Sequence, residues 1–378
     1  MKRLSAILLA FCLLLGTVPA AAKKQNSDLN VTVLDVGQGL SIFAECDGHT
    51  LLYDGGDRST SSYVVSFLKK QGVKKLDYVI ASHYDADHIN GLVGALSAIG
   101  ASHFFGPDYT CDTNIYDSLM NAARKDGLKN IHPKVGSTWN LGSAKMEVLG
   151  PIDSHYSNAN DRSIVVKLSN GKTSMLTTGD ATSTAEHDLV LRDDLALESD
   201  VLVAGHHGSK SSNSQEFLDA VHPEDIIISC GRDNKYGHPD KVVMERIKKS
   251  GANLYRTDTQ GAVGFTLGEN TVTFSLKPSK DYKAGQKPEE KKTEKKATPK
   301  PAEPQAPAAP EAPAAPAAPA EPEPVSQTWI LNTHTRKIHY PDCRAVARMA
   351  AKNKAESSES VAALEAQGYE PCKICHPQ

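Results

Sequence analysis

His83-Tyr84-Asp85-Ala86-Asp87-His88 follows directly on the apolar run Leu76–Ser82 and leads into a helical pattern over Ile89–Ala98. Two imidazoles and two carboxylates thus crowd the end of an expected strand. Strand ends are where a rigid scaffold presents chemistry, and imidazole with carboxylate suits zinc, manganese or iron. His and Asp are also ordinary turn residues, so the weight falls on what recurs along the chain. The β-rich run Ser174–Thr178 leads into Gly179-Asp180, Asp200–Ala204 into Gly205-His206-His207-Gly208-Ser209, and Leu51-Leu52-Tyr53 into Asp54-Gly55-Gly56. Each delivers an acid or an imidazole through a glycine-flanked turn, and glycine lets backbone approach a ligand closely. Strand, metal-philic residue and turn form one repeated geometry.

Outward from that stretch, β-rich runs alternate with amphipathic ones. Strands are expected at Asn30–Val36, Leu40–Cys46, Thr50–Tyr53, Leu76–Ser82, Lys145–Leu149, Ile164–Ser169, Ser174–Thr178, Asp200–Ala204, Asp225–Ser229 and Ala262–Leu267. Helices are expected at Ser61–Lys70, Ile89–Ala98, Thr113–Lys125, Ser183–Leu191, Ser214–Ala220 and Lys241–Ser250. Early strands form a meander with Asp47-Gly48 and Asn170-Gly171 as turn signals, and later ones are separated by helices. That order predicts an α+β fold in four layers, αββα: two mixed sheets face to face with helices outside.

The 378 residues leave room for two domains. Lys2 and Arg3 precede the apolar run Leu4 to Val18, and Pro19-Ala20-Ala21-Ala22 supplies the small residues of a cleavage site, so residues 1–22 read as an export signal. A membrane anchor is the alternative, but the run is shorter than the roughly 20 residues a bilayer requires. The mature chain is then expected to begin near Lys23, to be secreted or extracytoplasmic, and to carry no integral membrane span. Residues 28–278 form the expected catalytic body. Residues 279–326 turn first Lys/Glu-rich and then Pro/Ala-rich, a spacer that cannot build a core. Residues 327–378 form a tail. The net charge of −3 neither favours nor opposes a polyanionic partner. Of the seven cysteines, Cys12 is expected to leave with the signal, Cys46, Cys111 and Cys230 are scattered in the body, and Cys343, Cys372 and Cys375 cluster at the end. Export permits disulfides, and three scattered thiols leave at least one unpaired. No protein partner follows from these residues.

The body resembles the metallo-β-lactamase superfamily, and within it the soluble domain of ComEC-type DNA-uptake competence proteins. The resemblance is carried by Leu34-Asp35-Val36-Gly37-Gln38-Gly39, Asp54-Gly55-Gly56, His83–His88 with Asn90-Gly91, Asn160 and Ser163, Thr178-Gly179-Asp180, Gly205–Ser209 and Gly237-His238-Pro239. It implies a centre of one or two zinc or manganese ions. His83 would serve one ion, and Asp87 and His88 a second. Asp180 would bridge, and His206 would be the later histidine, with His207 beside it as the alternative. Asp85 stands where most members carry histidine, as in the competence branch. The superfamily's middle histidine has no match, since Asn160 to Ser163 occupy that region, so one ion is expected to be short of protein ligands. Such centres hydrolyse esters, amides or phosphodiesters with activated water. Asp87 would orient that water, and His238 would protonate the leaving group or bind phosphate. The competence-type features favour DNA or another phosphodiester as substrate over a β-lactam or other neutral ester or amide. A non-catalytic DNA-binding surface protein is the third reading.

The tail carries His339, Cys343, Cys372 and Cys375, the last two in a C-x-x-C pair that lets two thiolates reach one tetrahedral ion. A disulfide is the alternative, but about 50 residues with little apolar content need a staple such as structural zinc. Thr333–Lys337, His339-Tyr340-Pro341-Asp342-Cys343 and Gln367–Cys375 resemble the zinc module of Ada-type DNA repair proteins. His339 replaces the methyl-accepting cysteine, so the resemblance implies a structural zinc site without methyl transfer. Arg336, Lys337, Arg344 and Arg348 are candidate phosphate contacts.

Overall fold

Central strands buried on both faces force the body into layers. A computed structural model describes residues 27–287 and 328–372, apart from 334, 342, 344, 345, 347, 348 and 350–352. The expected signal, most of the expected linker, Cys375, Arg344 and Arg348 lie outside the described residues. One sheet orders β15 (Val272–Phe274), β14 (Val263–Leu267), β1 (Leu29–Val33), β2 (Ile42–Cys46), β3 (His49–Tyr53), β4 (Leu76–Ile80), β5 (Ala101–Phe105) and β6 (Asn130–Ile131). The other orders β13 (Asn253–Arg256), β12 (Asp225–Ile228), β11 (Val201–Val203), β10 (Thr173–Thr177), β9 (Val165–Asn170), β8 (Ala144–Gly150) and β7 (Thr138–Leu141).

Side chains alternate between the two faces of each strand. Val31, Val33, Ile42 and Ile80 of the first sheet therefore meet Met146, Val166, Met175 and Val203 of the second in a shared core. Leu52, Val79 and Phe104 point the other way, against Val64 and Leu68 of α1 (Ser61–Lys70), Leu92 and Leu96 of α2 (Ala86–Ala98), and Leu119 of α3 (Asn114–Lys125). On the far side Leu176, Leu202, Ile226 and Ile228 pack on Leu189 of α4 (Ser183–Val190), Phe217 and Leu218 of α5 (Gln215–Val221), and Val243 and Ile247 of α6 (Lys241–Ser250). Each such buried aliphatic contributes about 1.5–3 kcal/mol. The result is the expected αββα sandwich.

Expected elements recur with small shifts, and two differences matter. Helix α2 starts at Ala86 rather than Ile89, so Asp87 and His88 sit in its first turn and not in a loop. Asp85 precedes it in extended conformation (φ −71°, ψ 148°), and an acid in the first turn complements the helix dipole. β5 was not anticipated, because Ala-Ser-His-Phe-Phe exposes Ser102 and His103 and hides its strand character until Phe104 and Phe105 are packed.

β3, β4 and β5 run parallel, as do β10, β11, β12 and β13. Within each parallel group the carboxyl ends share one rim, and the expected ligands all follow such ends. The packed body continues past the expected boundary at residue 278. Ser279 donates to Leu254 O (2.6 Å), Arg256 Nη1 donates to the carbonyls of Asp281 (3.1 Å) and Lys283 (2.6 Å), and Gly285 donates to Pro239 O (2.8 Å). The buried guanidinium of Arg256 has more donors than its partner Asp258 can use, and the returning backbone takes the rest.

The chain divides into two compact units, parted between Thr293 and Glu294. The tail unit has a sheet ordered β18 (Lys354–Ser357), β16 (Trp329–Asn332), β17 (Lys337–His339) and β19 (Glu370–Pro371), with a helix at Val361–Ala366. Among the described residues its core is two small clusters, Trp329, Leu331, Ile338 and Leu364 on one side and Ile330 and Val346 beside Cys343 and Cys372 on the other. Among the described residues no helix is long and apolar enough to cross a membrane.

Candidate metal centre

Most of the chemically active side chains leave a parallel strand at its carboxyl end. Asp54 follows β3, Ser82 and His83 follow β4, Asp180 follows β10, and His206 and His207 follow β11. Asp87 and His88 come from the first turn of α2. That turn reaches the end of β3 because two glycines touch: Gly55 N donates to His88 O (2.7 Å), and a Cβ on Gly91 would strike Gly55 O.

The buried carboxylate of Asp180 stands among four imidazoles. His88 Nε2 lies 3.2 Å and His207 Nε2 3.6 Å from its Oδ1, while His206 Nε2 lies 3.5 Å and His83 Nε2 4.0 Å from its Oδ2. His207 Nε2 also lies 3.6 Å from Asp87 Oδ2 and 3.2 Å from His88 Nε2. Two sets of donor atoms converge within 4.8 Å: His83, His88 and Asp180, and Asp87, His88 and His207.

Outer partners aim these rings. His88 Nδ1 lies 2.7 Å from Asp54 Oδ2, His207 Nδ1 is 3.0 Å from Ser229 O, and His83 Nδ1 is 2.9 Å from Ser82 Oγ. His206 Nδ1 is 3.1 Å from Ser211 Oγ. A carboxylate and a carbonyl only accept, so His88 and His207 must donate from Nδ1. Their neutral forms then present bare Nε2 lone pairs to each other at 3.2 Å and to a carboxylate. That is repulsive unless a proton or a cation is shared. Two nitrogens on one tetrahedral zinc, each about 2.0–2.1 Å away, stand roughly that far apart. Moreover, His83 Nε2 and Asp180 Oδ1 are buried with no hydrogen-bond partner, which native interiors avoid. The donor set fits one or two divalent ions.

The electrostatics agree. Burial would raise the Asp180 pKa, but the imidazoles of His88 and His207 outweigh it and hold the carboxyl well below its ordinary range. Burial works against charge on His88 and His207 as well, yet Asp180 and Asp54 lift the first and Asp180 and Asp87 the second above the usual histidine value. His238 differs: burial, then His207 and His206, push it down to about 4.

The expected residues divide clearly. His83, Asp87, His88, Asp180 and both later histidines converge, and it is His207 rather than His206 that meets the Asp87–His88 pair. Asp85 lies 3.7 Å from His83 Nε2 with its side chain 57% exposed, at the open side of the centre. His238 is buried beside the centre, its ring 5.8 Å from that of His206. His155 points to solvent on a loop with Asp153. In the region lacking the middle histidine, Ser163 Oγ accepts the backbone N–H of Asp180 at 3.2 Å.

Sequence reasoning missed the residues that hold the histidine loop. Asn213 Oδ1 accepts from Gly205 N (3.0 Å) and its Nδ2 donates to Gly205 O (2.9 Å). Glu186, fully buried, accepts from Asn213 N (2.6 Å) and Ser214 N (2.9 Å).

In the tail, His339, Cys343 and Cys372 are buried, with donor atoms within 4.8 Å of one another. Both His339 nitrogens are buried without a hydrogen-bond partner, and burial lowers its pKa. A neutral imidazole beside two thiols fits zinc. Arg336 rests on the Tyr369 ring (4.8 Å) and Lys337 pairs with Glu370.

The profile described as the metallo-beta-lactamase superfamily matches residues 34–232. Competence protein ComA of Neisseria gonorrhoeae is 34% identical over 248 residues, 65% of this chain and 33% of that protein. ComE operon protein 3 of Bacillus subtilis is 29% identical over 274 residues, 68% of this chain and 35% of that protein. The chain thus spans about a third of the length of these relatives. Among solved structures, the metallo-beta-lactamase fold protein YhfI from Bacillus subtilis aligns with a TM-score of 0.43 at 16% identity, over 64% of this chain and 99% of that one.

Proposed function

This chain belongs to the metallo-beta-lactamase superfamily, and from that premise we propose that its body is an exported, metal-dependent phosphodiesterase that cleaves nucleic acid, most naturally DNA. The observation that carries the reading is the facing pair of bare nitrogens, His88 Nε2 and His207 Nε2, held against Asp180 by outer partners. On this reading Asp87, His88 and His207 would hold one ion, zinc or manganese. His83 and the exposed Asp85 begin a second site. His206, facing Asp180 Oδ2, would stand in for the missing middle histidine, and Asp180 would serve both ions. Bound divalent ions supply a lowered pKa for water and charge neutralisation of a phosphoryl group.

The protein's own groups do the rest. Asp87, half-exposed and ionised, accepts a hydrogen bond from the attacking water and fixes its direction. His238 is uncharged at neutral pH. It therefore acts as an N–H donor to a phosphoryl oxygen rather than as a strong acid toward the leaving group. The exposed Asp85 leaves the His83 site open toward solvent, where a strand can enter. Relatives named for competence support a nucleic-acid substrate, and the expected leader ahead of Lys23 supports export. The tail is read as a structural zinc module, with Cys375 as its fourth ligand, that helps retain DNA through the linker.

The test is cleavage of supercoiled plasmid, methyl p-nitrophenyl phosphate and a β-lactam, each with EDTA, zinc or manganese. Metal-dependent cutting of the phosphodiesters is expected, and Asp87→Ala with His88→Ala should abolish it in a chain that still melts cooperatively. Hydrolysis of the β-lactam alone, or of nothing, overturns the proposal.

A further inference from the structure

We infer that Tyr236, carried on a locked loop beside the metal centre, is a stacking platform for an unpaired base of a nucleic-acid strand, with Lys235 and Lys287 as adjoining phosphate contacts. This deepens the phosphodiesterase reading and rests on it. The loop is built from inside. Asn234 is buried, and its Oδ1 accepts the backbone N–H groups of Tyr236 (3.2 Å), Gly237 (2.9 Å) and His238 (3.0 Å). Its Nδ2 donates to Gly231 O (2.8 Å) and His238 O (2.6 Å). One amide thus satisfies five backbone groups, so little conformational entropy is lost when the loop binds something.

What the locked loop presents is an aromatic ring in water. Tyr236 is 46% exposed, and its ring stacks on His238 at 5.4 Å and 20°. The His238 ring in turn lies 5.8 Å from that of His206 and 6.5 Å, near-parallel, from that of His207. Tyr236 is therefore one ring removed from the histidines of the centre. A half-exposed aromatic on rigid backbone contributes little to the core, yet it is what a base needs to stack on.

Cations flank it. Lys235 Nζ rides 4.9 Å from the ring centroid, and the Tyr236 side chain first, with Asp87 only after it, holds its charge. Lys287 arrives from the returning segment: Gly285 donates to Pro239 O (2.8 Å), and a Cβ at Gly285 would strike His238 O, so the segment sits directly on the loop. The Lys287 stem then covers Gly237. An exposed aromatic with one lysine over its ring and a second exposed lysine lying on the next residue of the loop, beside the proposed phosphodiester-cleaving centre, is the recognition chemistry of single-stranded nucleic acid. A duplex keeps its base faces stacked and out of reach.

The experiment measures binding of a fluorescent oligothymidylate of about six nucleotides, within the usual footprint of such sites, to the full chain in EDTA. Wild type, Tyr236→Ala and Tyr236→Phe are compared on that strand, on an abasic strand of equal length, and on a duplex. Tyr236→Ala should weaken binding about 5- to 150-fold, the equivalent of about 1–3 kcal/mol per stacked base. Tyr236→Phe should retain it, the abasic strand should not distinguish the variants, and wild type should prefer the single strand to the duplex. Lys235→Gln with Lys287→Gln should flatten the salt dependence by about 0.7 per lysine. An unchanged Tyr236→Ala, or equal losses on oligothymidylate and abasic strand, overturns the platform, the second by showing that the ring only braces the loop. Preference for the duplex overturns it too. If wild type cleaves DNA while Tyr236→Ala binds normally, only the platform falls; if wild type cleaves no phosphodiester, the underlying reading falls.

Discussion

Asp54→Asn should cost the centre most of its affinity for metal without costing the protein its fold. Asp54 Oδ1 accepts from Ser82 N at 2.8 Å, and Oδ2 accepts from Ser82 Oγ and His88 Nδ1, both at 2.7 Å. An amide has the same shape but can accept on one side only. If its oxygen keeps Ser82 N, its NH2 faces His88 Nδ1, and the imidazole must carry its proton on Nε2, pointing into the centre. If the amide flips, its NH2 meets Ser82 N–H instead. The first arrangement puts an N–H where the metal-facing lone pair was, the second sets a buried donor against a donor, and in both replacing a charged acceptor forfeits the stronger class of hydrogen bond. Losing the outer partner of a ligand histidine typically reduces metal affinity 10–100-fold, which corresponds to about 1.4–2.8 kcal/mol. Competition with a chelating indicator measures this directly, and melting in EDTA separates ligand orientation from stability. The control is His88→Ala: if Asp54 acts through His88, Asp54→Asn should add almost nothing in that background. Metal affinity within twofold of wild type in Asp54→Asn would refute the tautomer argument and, with it, the ligand role of His88.

Three further outcomes follow from the same geometry. His207→Ala should lower metal stoichiometry or affinity by at least tenfold, whereas His206→Ala should act only on the more weakly held ion; mass spectrometry under native conditions counts both, and the reverse ranking would contradict the assignment. Because Asp180 with Asp54 lifts His88, and Asp180 with Asp87 lifts His207, above the usual pKa, metal must displace protons from them. Affinity should accordingly climb as pH rises through and above the ordinary histidine range and fall in acid, with proton release visible by calorimetry in buffers of different ionisation enthalpy; a flat profile would exclude displacement. In the tail, His339→Cys should retain zinc and His339→Ala should weaken it substantially, read in the full chain by zinc released to a colorimetric chelator; equal zinc retention in both would remove His339 from the ligand set.

The parts of this centre that were legible in sequence are those whose signal is local. His83–His88 sits between an apolar run and a helical one, and Asp180 and the His206-His207 pair each end a β-run, so strand and ligand lie within a few residues of each other. The choice between His206 and His207 was not legible, because it depends on backbone angles that no neighbouring residue dictates. Both adopt left-handed conformations (φ 52° and 56°), which turn the two rings 80° apart and send one to the Asp87–His88 pair and the other to the far oxygen of Asp180. Two consecutive non-glycine residues in that region cost on the order of 1–3 kcal/mol each and persist only where the surroundings over-determine them. Here Asn213 clamps both backbone groups of Gly205, Glu186 holds the N–H groups of Asn213 and Ser214, and Arg246 donates to Asn213 O (2.8 Å). Burial raises the pKa of Glu186 against the pull of those N–H groups, so the clamp itself holds a costly buried acid. Glu186 comes from α4 and Arg246 from α6, on the outer side of the second sheet. The strain that aims the metal-facing histidines is therefore borne by the helical layer behind them, and a reading confined to residues near the ligands in sequence could not have located its support.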